Sequence, residues 1–109
     1  MSYKISYFND AVQNDILNLP ASLSLLARYL KSTDMMLIHG SNLGHPHTKS
    51  LSNGLFELRL KGKNGIARVF YCTQTNQEII MLHSYVKKSK KIPRNVLQIA
   101  LTRLKEMKK

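Results

Sequence analysis

The chain has 109 residues, 43% of them hydrophobic, with 17 Lys plus Arg against 6 Asp plus Glu. That length supports one compact domain with a modest core, expected to span residues 1–109. Residues 1–58 hold four bases and four acids, so the whole net charge of +11 belongs to residues 59–109, where thirteen bases face only Glu78 and Glu106. Such a one-sided field attracts polyanions, and for a small domain these are RNA, DNA or an acidic protein segment. The longest apolar runs, Met35 to Ile38 and Ile79 to Leu82, are four residues each, far short of the roughly 20 that span a bilayer. The N-terminus lacks a basic segment followed by an apolar one. A cytoplasmic protein with no membrane partner is expected.

In chain order, residues 3–8 read as a short strand, and Asn9 or Asp10 caps a helix through about Leu17. Pro20 opens a second helix in which Leu23, Leu26, Ala27 and Leu30 recur at i, i+3, i+4 and i+7, lasting to about Met36. The two form an early helical hairpin. Residues 39–54, rich in Gly, Ser, Asn and His, read as an ordered loop crossing back to the sheet.

After Gly54 the period becomes two: Phe56, Leu58 and Leu60 alternate with Glu57, Arg59 and Lys61, then Gly62-Lys63-Asn64-Gly65 leads into Ile66 to Cys72. This is a β-hairpin. Ile79 to Val86 is a strand apolar on both faces, hence internal. From Pro93 a closing helix lines Val96, Leu97, Ala100, Leu101 and Leu104 on one stripe, with Arg94, Arg103 and Lys105 on the other. The fold class is α+β: a small antiparallel sheet packed against an N-terminal helical hairpin, with a C-terminal helix.

The hairpin fixes which charges meet. A two-residue Asn64-Gly65 turn pairs positions summing to 129 and a four-residue Gly62 to Gly65 loop pairs positions summing to 127. Both sums are odd, so either loop puts Arg59, Lys61, Arg68 and Phe70 on one face and Phe56, Leu58, Leu60, Ala67, Val69 and Tyr71 on the other. The second face is a core surface for the helices. The first carries three cations and one ring, with Glu57 near its edge. Those cations repel unless an anion binds, so removing one is expected to leave stability unchanged or raise it. The other reading of this face is a solvated surface that guards against edge pairing. The run Lys87-Lys88-Ser89-Lys90-Lys91-Ile92-Pro93-Arg94 leaves the next strand and extends a cationic groove.

Leu55-Phe56-Glu57-Leu58-Arg59, Ala67-Arg68-Val69-Phe70-Tyr71 and Leu82-His83-Ser84-Tyr85-Val86-Lys87-Lys88 before Pro93 together resemble the RelE/ParE toxin superfamily of type II toxin–antitoxin systems, in its HigB-type, phage-derived branch. The likeness runs upstream through Leu43-Gly44-His45-Pro46 and Lys49-Ser50-Leu51 and downstream to the helix of Ala100, covering roughly residues 13–105. It implies a RelE-like sheet backed by helices and, in most branches, a ribosome-dependent endoribonuclease acting on translated mRNA. It also implies a cytoplasmic antitoxin partner of helix-turn-helix type. Carried over, Arg59 matches a basic position ending the first of these strands and Arg68 the arginine opening the second. Lys87 and Lys88 match the basic pair that contacts the scissile phosphate. Many relatives use a C-terminal tyrosine in proton transfer; residues 89–109 here contain neither Tyr nor His. Position 56, commonly Trp, is Phe56.

Metal-free RNA cleavage needs a proton acceptor for the ribose 2′-OH, cations for the added negative charge and a donor to the 5′-oxygen. The catalytic candidates are Arg59, Arg68, Lys87, Lys88 and His83; Lys61, Phe70, Lys90, Lys91 and Arg94 are candidates for holding RNA. His83, Tyr85 and Lys87 share a strand face and are the groups available for proton transfer. His83 is equally readable as a satisfied core histidine, and Tyr85 reads more as packing. The six acids are scattered, which argues against two-metal chemistry. His45-Pro46-His47 lacks a third ligand, and Cys72 reads as a small residue in an apolar strand. No metal or cofactor is expected. The expected function is an mRNA interferase toxin that inhibits translation. The competing readings are a ParE-like gyrase inhibitor without enzymatic activity and an RNA-binding phage regulatory protein.

Overall fold

The computed structural model describes residues 3–20, 24–63, 65–87 and 93–108. Five strands, β1 (Lys4–Tyr7), β2 (Thr48–Ser52), β3 (Leu55–Lys61), β4 (Ile66–Thr73) and β5 (Glu78–Lys87), form one sheet in the order β1-β5-β4-β3-β2. Three helices, α1 (Asp10–Leu17), α2 (Leu25–His39) and α3 (Arg94–Met107), pack on it. Among the described residues no helix is long and apolar enough to cross a membrane.

The sheet is mixed, not antiparallel throughout. β2 to β5 form an antiparallel meander joined by short links, whereas β1 pairs with β5 in parallel, Ile5 opposite Ile79 and Tyr7 opposite Met81. β1 has no hairpin partner, because its chain continues into α1 and α2; it joins the edge by packing Ile5 and Tyr7 on the core. The Ser6 hydroxyl also donates to the Glu78 carboxylate.

α1 starts where expected, with the Asn9 side chain accepting from the Val12 amide at 2.8 Å. α2 departs from its expected stripe. Its buried residues are Leu25, Tyr29, Ser32, Thr33 and Met36, while Leu30 is 48% exposed. The helix also runs on to His39, past the expected end. Gly40 then stops it at φ +100, a conformation that suits glycine, with room for a Cβ only 3.3 Å from the Tyr3 hydroxyl. Tyr29 is admitted to the core because its hydroxyl shares a 2.8 Å hydrogen bond with that of Tyr7. Nor do α1 and α2 pack chiefly as a hairpin: α1 lies mainly on β5 and α2 on β3, each burying its stripe on the sheet.

Both faces of the sheet are covered. α1 and α2 bury Leu58, Leu60, Ala67, Val69, Tyr71, Ile79 and Met81. On the opposite face the α3 stripe, Val96, Ala100 and Leu104, buries Leu55, Phe70, Cys72, Ile80 and Leu82. The segment expected to be a loop contains β2, an edge strand paired with β3. Its sequence Thr-Lys-Ser-Leu-Ser has little apolar signal, because an edge strand needs only backbone pairing on one side.

The register of α2 can be tested by unfolding in urea. Leu25→Ala, at a fully buried site, is expected to lose about 2–5 kcal/mol, whereas Leu30→Ala should stay within about 0.5 kcal/mol of the parent. Equal losses would mean that α2 turns a different face to the sheet.

Candidate functional site

The β3–β4 link is the four-residue one: the Gly62 amide donates to the Gly65 carbonyl at 2.8 Å, and paired positions sum to 127. Arg59 is therefore the direct partner of Arg68, and Arg68 in turn of Tyr85 on β5. One step toward the hairpin end, Lys61, Ile66 and Lys87 form the next row. One step the other way lie Glu57, Phe70 and His83.

Glu57 is not at the edge of the cationic face but between its two arginines. It is buried, with Oε1 3.3 Å from Arg59 Nε and 2.9 Å from Arg68 Nε. Arg59 Nε donates a hydrogen bond to it. Arg68 Nε, close but out of line, is buried with no hydrogen-bond partner among the described residues. One carboxylate thus offsets part of the repulsion between two guanidiniums and leaves a surplus positive charge on rigid strands. The expected relief of repulsion on removing Arg68 is therefore opposed by the loss of one of the two counter-charges of Glu57, which keeps Arg59.

The structure brings Arg59, Arg68 and Tyr85 into one row, with Lys61 exposed beside them. The backbone of Lys87 continues that face opposite Ile66. Lys88, Lys90 and Lys91 lie outside the described residues. Arg94 is exposed at the start of α3. Phe70 is a correction: it is fully buried beneath α3 and offers no ring to a nucleobase. The face that holds it was expected to be open, but the apolar stripe of α3 needed a sheet surface, and the meander offered this one.

His83 stands diagonally across from Arg68, yet its ring is engaged elsewhere. Its Nδ1 is 3.4 Å from Arg103 Nη1, which also donates to the Leu82 carbonyl at 2.7 Å. The Arg103 guanidinium sits 5.2 Å from the centroid of the Phe8 ring. Arg103, expected on the solvated side of its helix, is thus a clamp between α3, β5 and the start of α1. Burial, and after it the nearby Arg103 charge, hold the His83 pKa below its ordinary value, against an opposing pull from Asp15. Arg103 can only donate, so Nδ1 is the acceptor and the neutral ring carries its hydrogen on Nε2. Burial likewise raises the Cys72 thiol pKa, in keeping with a packing role. Among the described residues, no three His, Cys, Asp or Glu side chains cluster in a way that could hold a metal ion.

Around the same hairpin end a cleft of about 430 Å³ opens between α2 and the sheet, reaching Arg59 and Arg68. β2 begins at Thr48 opposite Leu58, so past that point β3 has no strand on its outer side; only the His47 carbonyl receives the Arg59 amide, at 2.8 Å. Side chains of both faces can meet at this open edge.

Residues 14–105 match the family described as phage derived protein Gp49-like (DUF891). The chain belongs to this Gp49-like family. A chain of the archaeal RelE–RelB complex from Pyrococcus horikoshii OT3 is similar to this Gp49-like protein in fold, with a TM-score of 0.54 and 18% identity over 77% of this chain and 93% of that one. No curated protein matches. The five-stranded sheet with three helices is thus RelE-like.

Two measurements probe the site's electrostatics. Glu57→Gln should lower stability by about 1–3 kcal/mol, and part of the loss should return near 1 M salt, where the screening length is about 3 Å; a loss indifferent to salt would mean that repulsion between the arginines is not its cause. The His83 pKa lies below its ordinary value of 6.5 in the fold, so the unfolded chain takes up that proton first as pH falls. The His83 contribution should be intact above about pH 6.5 and decline below it. Thermal melts of His83→Gln should lack this part of the decline.

Proposed function

We propose that this protein is the toxin of a type II toxin–antitoxin pair, of HigB type, and a ribosome-dependent endoribonuclease that cuts mRNA without a metal. The observation that carries the reading is the pairing of Arg59 with Arg68 around one buried carboxylate, with a buried Arg68 donor left unsatisfied. Such an arrangement attracts an added anion, because Glu57 restrains both guanidiniums and one positive charge is in surplus.

In this reading the scissile phosphate lies across the Arg59–Arg68 row, with Lys87 and Lys88 supplying further positive charge. The 2′-oxygen loses its proton and attacks phosphorus, and the bond to the 5′-oxygen breaks as that oxygen takes a proton, leaving a 2′,3′-cyclic phosphate and a 5′-hydroxyl. The arginines stabilise the charge that develops on the non-bridging oxygens. His83, Tyr85 and Lys87 are the groups available for proton transfer; Tyr85, the strand partner of Arg68, also packs against the cluster beneath α3. His83, neutral and with Nδ1 facing Arg103, can offer its Nε2 hydrogen to a phosphate oxygen as a hydrogen bond. Lys61 and Arg94 with Lys90 and Lys91 hold the flanking RNA, and the ribosome supplies the remaining positioning.

The antitoxin we expect is of helix-turn-helix type and carries an acidic or helical segment that lies over the arginine row, as charge complementarity favours. A plain RNA-binding module is less well supported, because Phe70, the one ring expected on the cationic face, is under α3.

Induced expression in cells, with mRNA ends mapped in a translating extract, tests the reading. Arg59→Ala and Arg68→Ala should each reduce cleavage by about 100-fold, and the double replacement by less than the product of the two. Arg68→Lys retains the charge beside Glu57 but loses the guanidinium fork, and should stay folded while losing activity. Folded variants that remain fully toxic would refute the site, and growth arrest with gyrase blocked but mRNA intact would favour the ParE-like alternative.

A further inference from the structure

The cleft beside α2 extends the basic surface in a direction that the catalytic row does not explain. Its lining combines Arg28 and Lys31 of α2 with Arg59, Lys61 and Arg68 of the hairpin, and contains no Asp or Glu. Between these cations lie apolar side chains, Met35 from α2 and Leu60 and Ile66 from the hairpin. At about 430 Å³ it falls within the range of roughly 300–1,000 Å³ typical of small-molecule clefts. Arg28 and Lys31 are three residues apart, hence neighbours on one helix face, and both are exposed. Among the described residues neither forms an ion pair with a carboxylate. Arg59 and Arg68 carry Glu57 as partial compensation; the α2 pair has no such partner within the lining.

We infer that this cleft is a nucleotide subsite: it holds a base of single-stranded RNA against Met35, Leu60 and Ile66, while Arg28, Lys31 and Lys61 bind the phosphate adjoining it. The inference rests on the reading of the arginine row as an RNA site. It extends that site round the open edge of β3 to residues on a different element. An apolar floor ringed by cations matches the two parts of a nucleotide, a flat weakly polar base and an anionic phosphate. A purely apolar occupant would leave the cations unmatched, and a bare anion would leave the floor unused.

The test uses the full-length chain and a fluorescent single-stranded RNA of about ten nucleotides that no ribosome accompanies, so that binding is read apart from cleavage. The double variant Arg28→Ala/Lys31→Ala should bind about tenfold more weakly. Its slope of log affinity against log salt should fall by about 1.4, at about 0.7 per lost contact. Lys4→Ala/Lys105→Ala removes the same net charge from exposed positions outside the cleft and should change affinity far less. Methyl resonances of Met35 and Ile66 should shift on adding the RNA, and melting curves should show both variants folded. Equal weakening in the two double variants would reduce the effect to general attraction and overturn the inference. Wild-type RNA binding with unmoved Met35 and Ile66 methyls would overturn the subsite while leaving the arginine row standing. A wild-type chain that binds no free RNA even at low salt would overturn the subsite, while the arginine row stands or falls on cleavage in the translating extract. Binding of a polyglutamate peptide that the α2 double variant abolishes, with RNA binding intact, would assign the cleft to a protein segment instead and refute the nucleotide reading.

Discussion

The register of the β3–β4 hairpin is held by residues that have nothing to do with charge. Leu58, Leu60, Ala67 and Val69 are all buried under α1 and α2, and a slip of one residue in either strand would carry its members to the opposite face. The positions of Arg59 and Arg68 follow from that burial. They meet across the hairpin because their neighbours on both sides must point the other way. The charged site is therefore set by an apolar pattern whose cost of disruption, several buried side chains at roughly 1.5–3 kcal/mol each, far exceeds what repulsion between two partly exposed arginines could return.

Glu57 makes the pairing tolerable and also shapes it. A carboxylate with two guanidinium neighbours on one oxygen binds neither in ideal geometry, and the structure shows the compromise: Arg59 is hydrogen-bonded at 3.3 Å, while Arg68 is nearer but misaligned. An acid on each arginine would close the site to other anions; no acid at all would let the side chains swing apart. With one, the guanidiniums are restrained while their combined charge remains unneutralised.

Legibility in the sequence followed how local each constraint is. The hairpin was readable because period-two alternation over two adjacent strands depends on little else, and the α3 stripe because its apolar residues leave only one choice of face. In α2, apolar residues go most of the way round, Leu25, Leu26, Leu30, Met36, Leu37 and Ile38, so two stripes competed and the sheet chose the one containing Tyr29. β1's parallel pairing and the polar edge strand β2 depend on distant partners. The bulge in β5 is equally non-local: Phe70 faces His83 but Tyr71 faces Met81, which leaves Leu82 unpaired and lets Ile80, Leu82 and His83 all serve the α3 face. The adjacency of the arginines was visible from parity under either turn. The place of Glu57 needed the actual register, and the burial of Phe70 needed the knowledge that α3 takes the second face.

Two boundaries in the fold decide where the positive charge can act. On the α3 side the buried cluster includes Phe70 and packs against Tyr85 in the next row, beside the two arginines, so one sheet face passes from a dry half to a cationic half. β2 begins only at Thr48, and after the Arg59 amide bonds the His47 carbonyl, the end of β3 has no strand on its outer side. The hairpin end is thus exposed along its edge and on the side beyond α3, and this is where Arg59, Lys61 and Arg68 emerge. The first half of the chain is neutral overall, yet two of its four bases, Arg28 and Lys31, line the same opening, while its acids Asp10 and Asp15 lie in α1 over β5. Folding therefore sharpens the charge asymmetry that the linear sequence shows: it draws cations from both halves to one end and keeps Glu57 as the carboxylate buried among them.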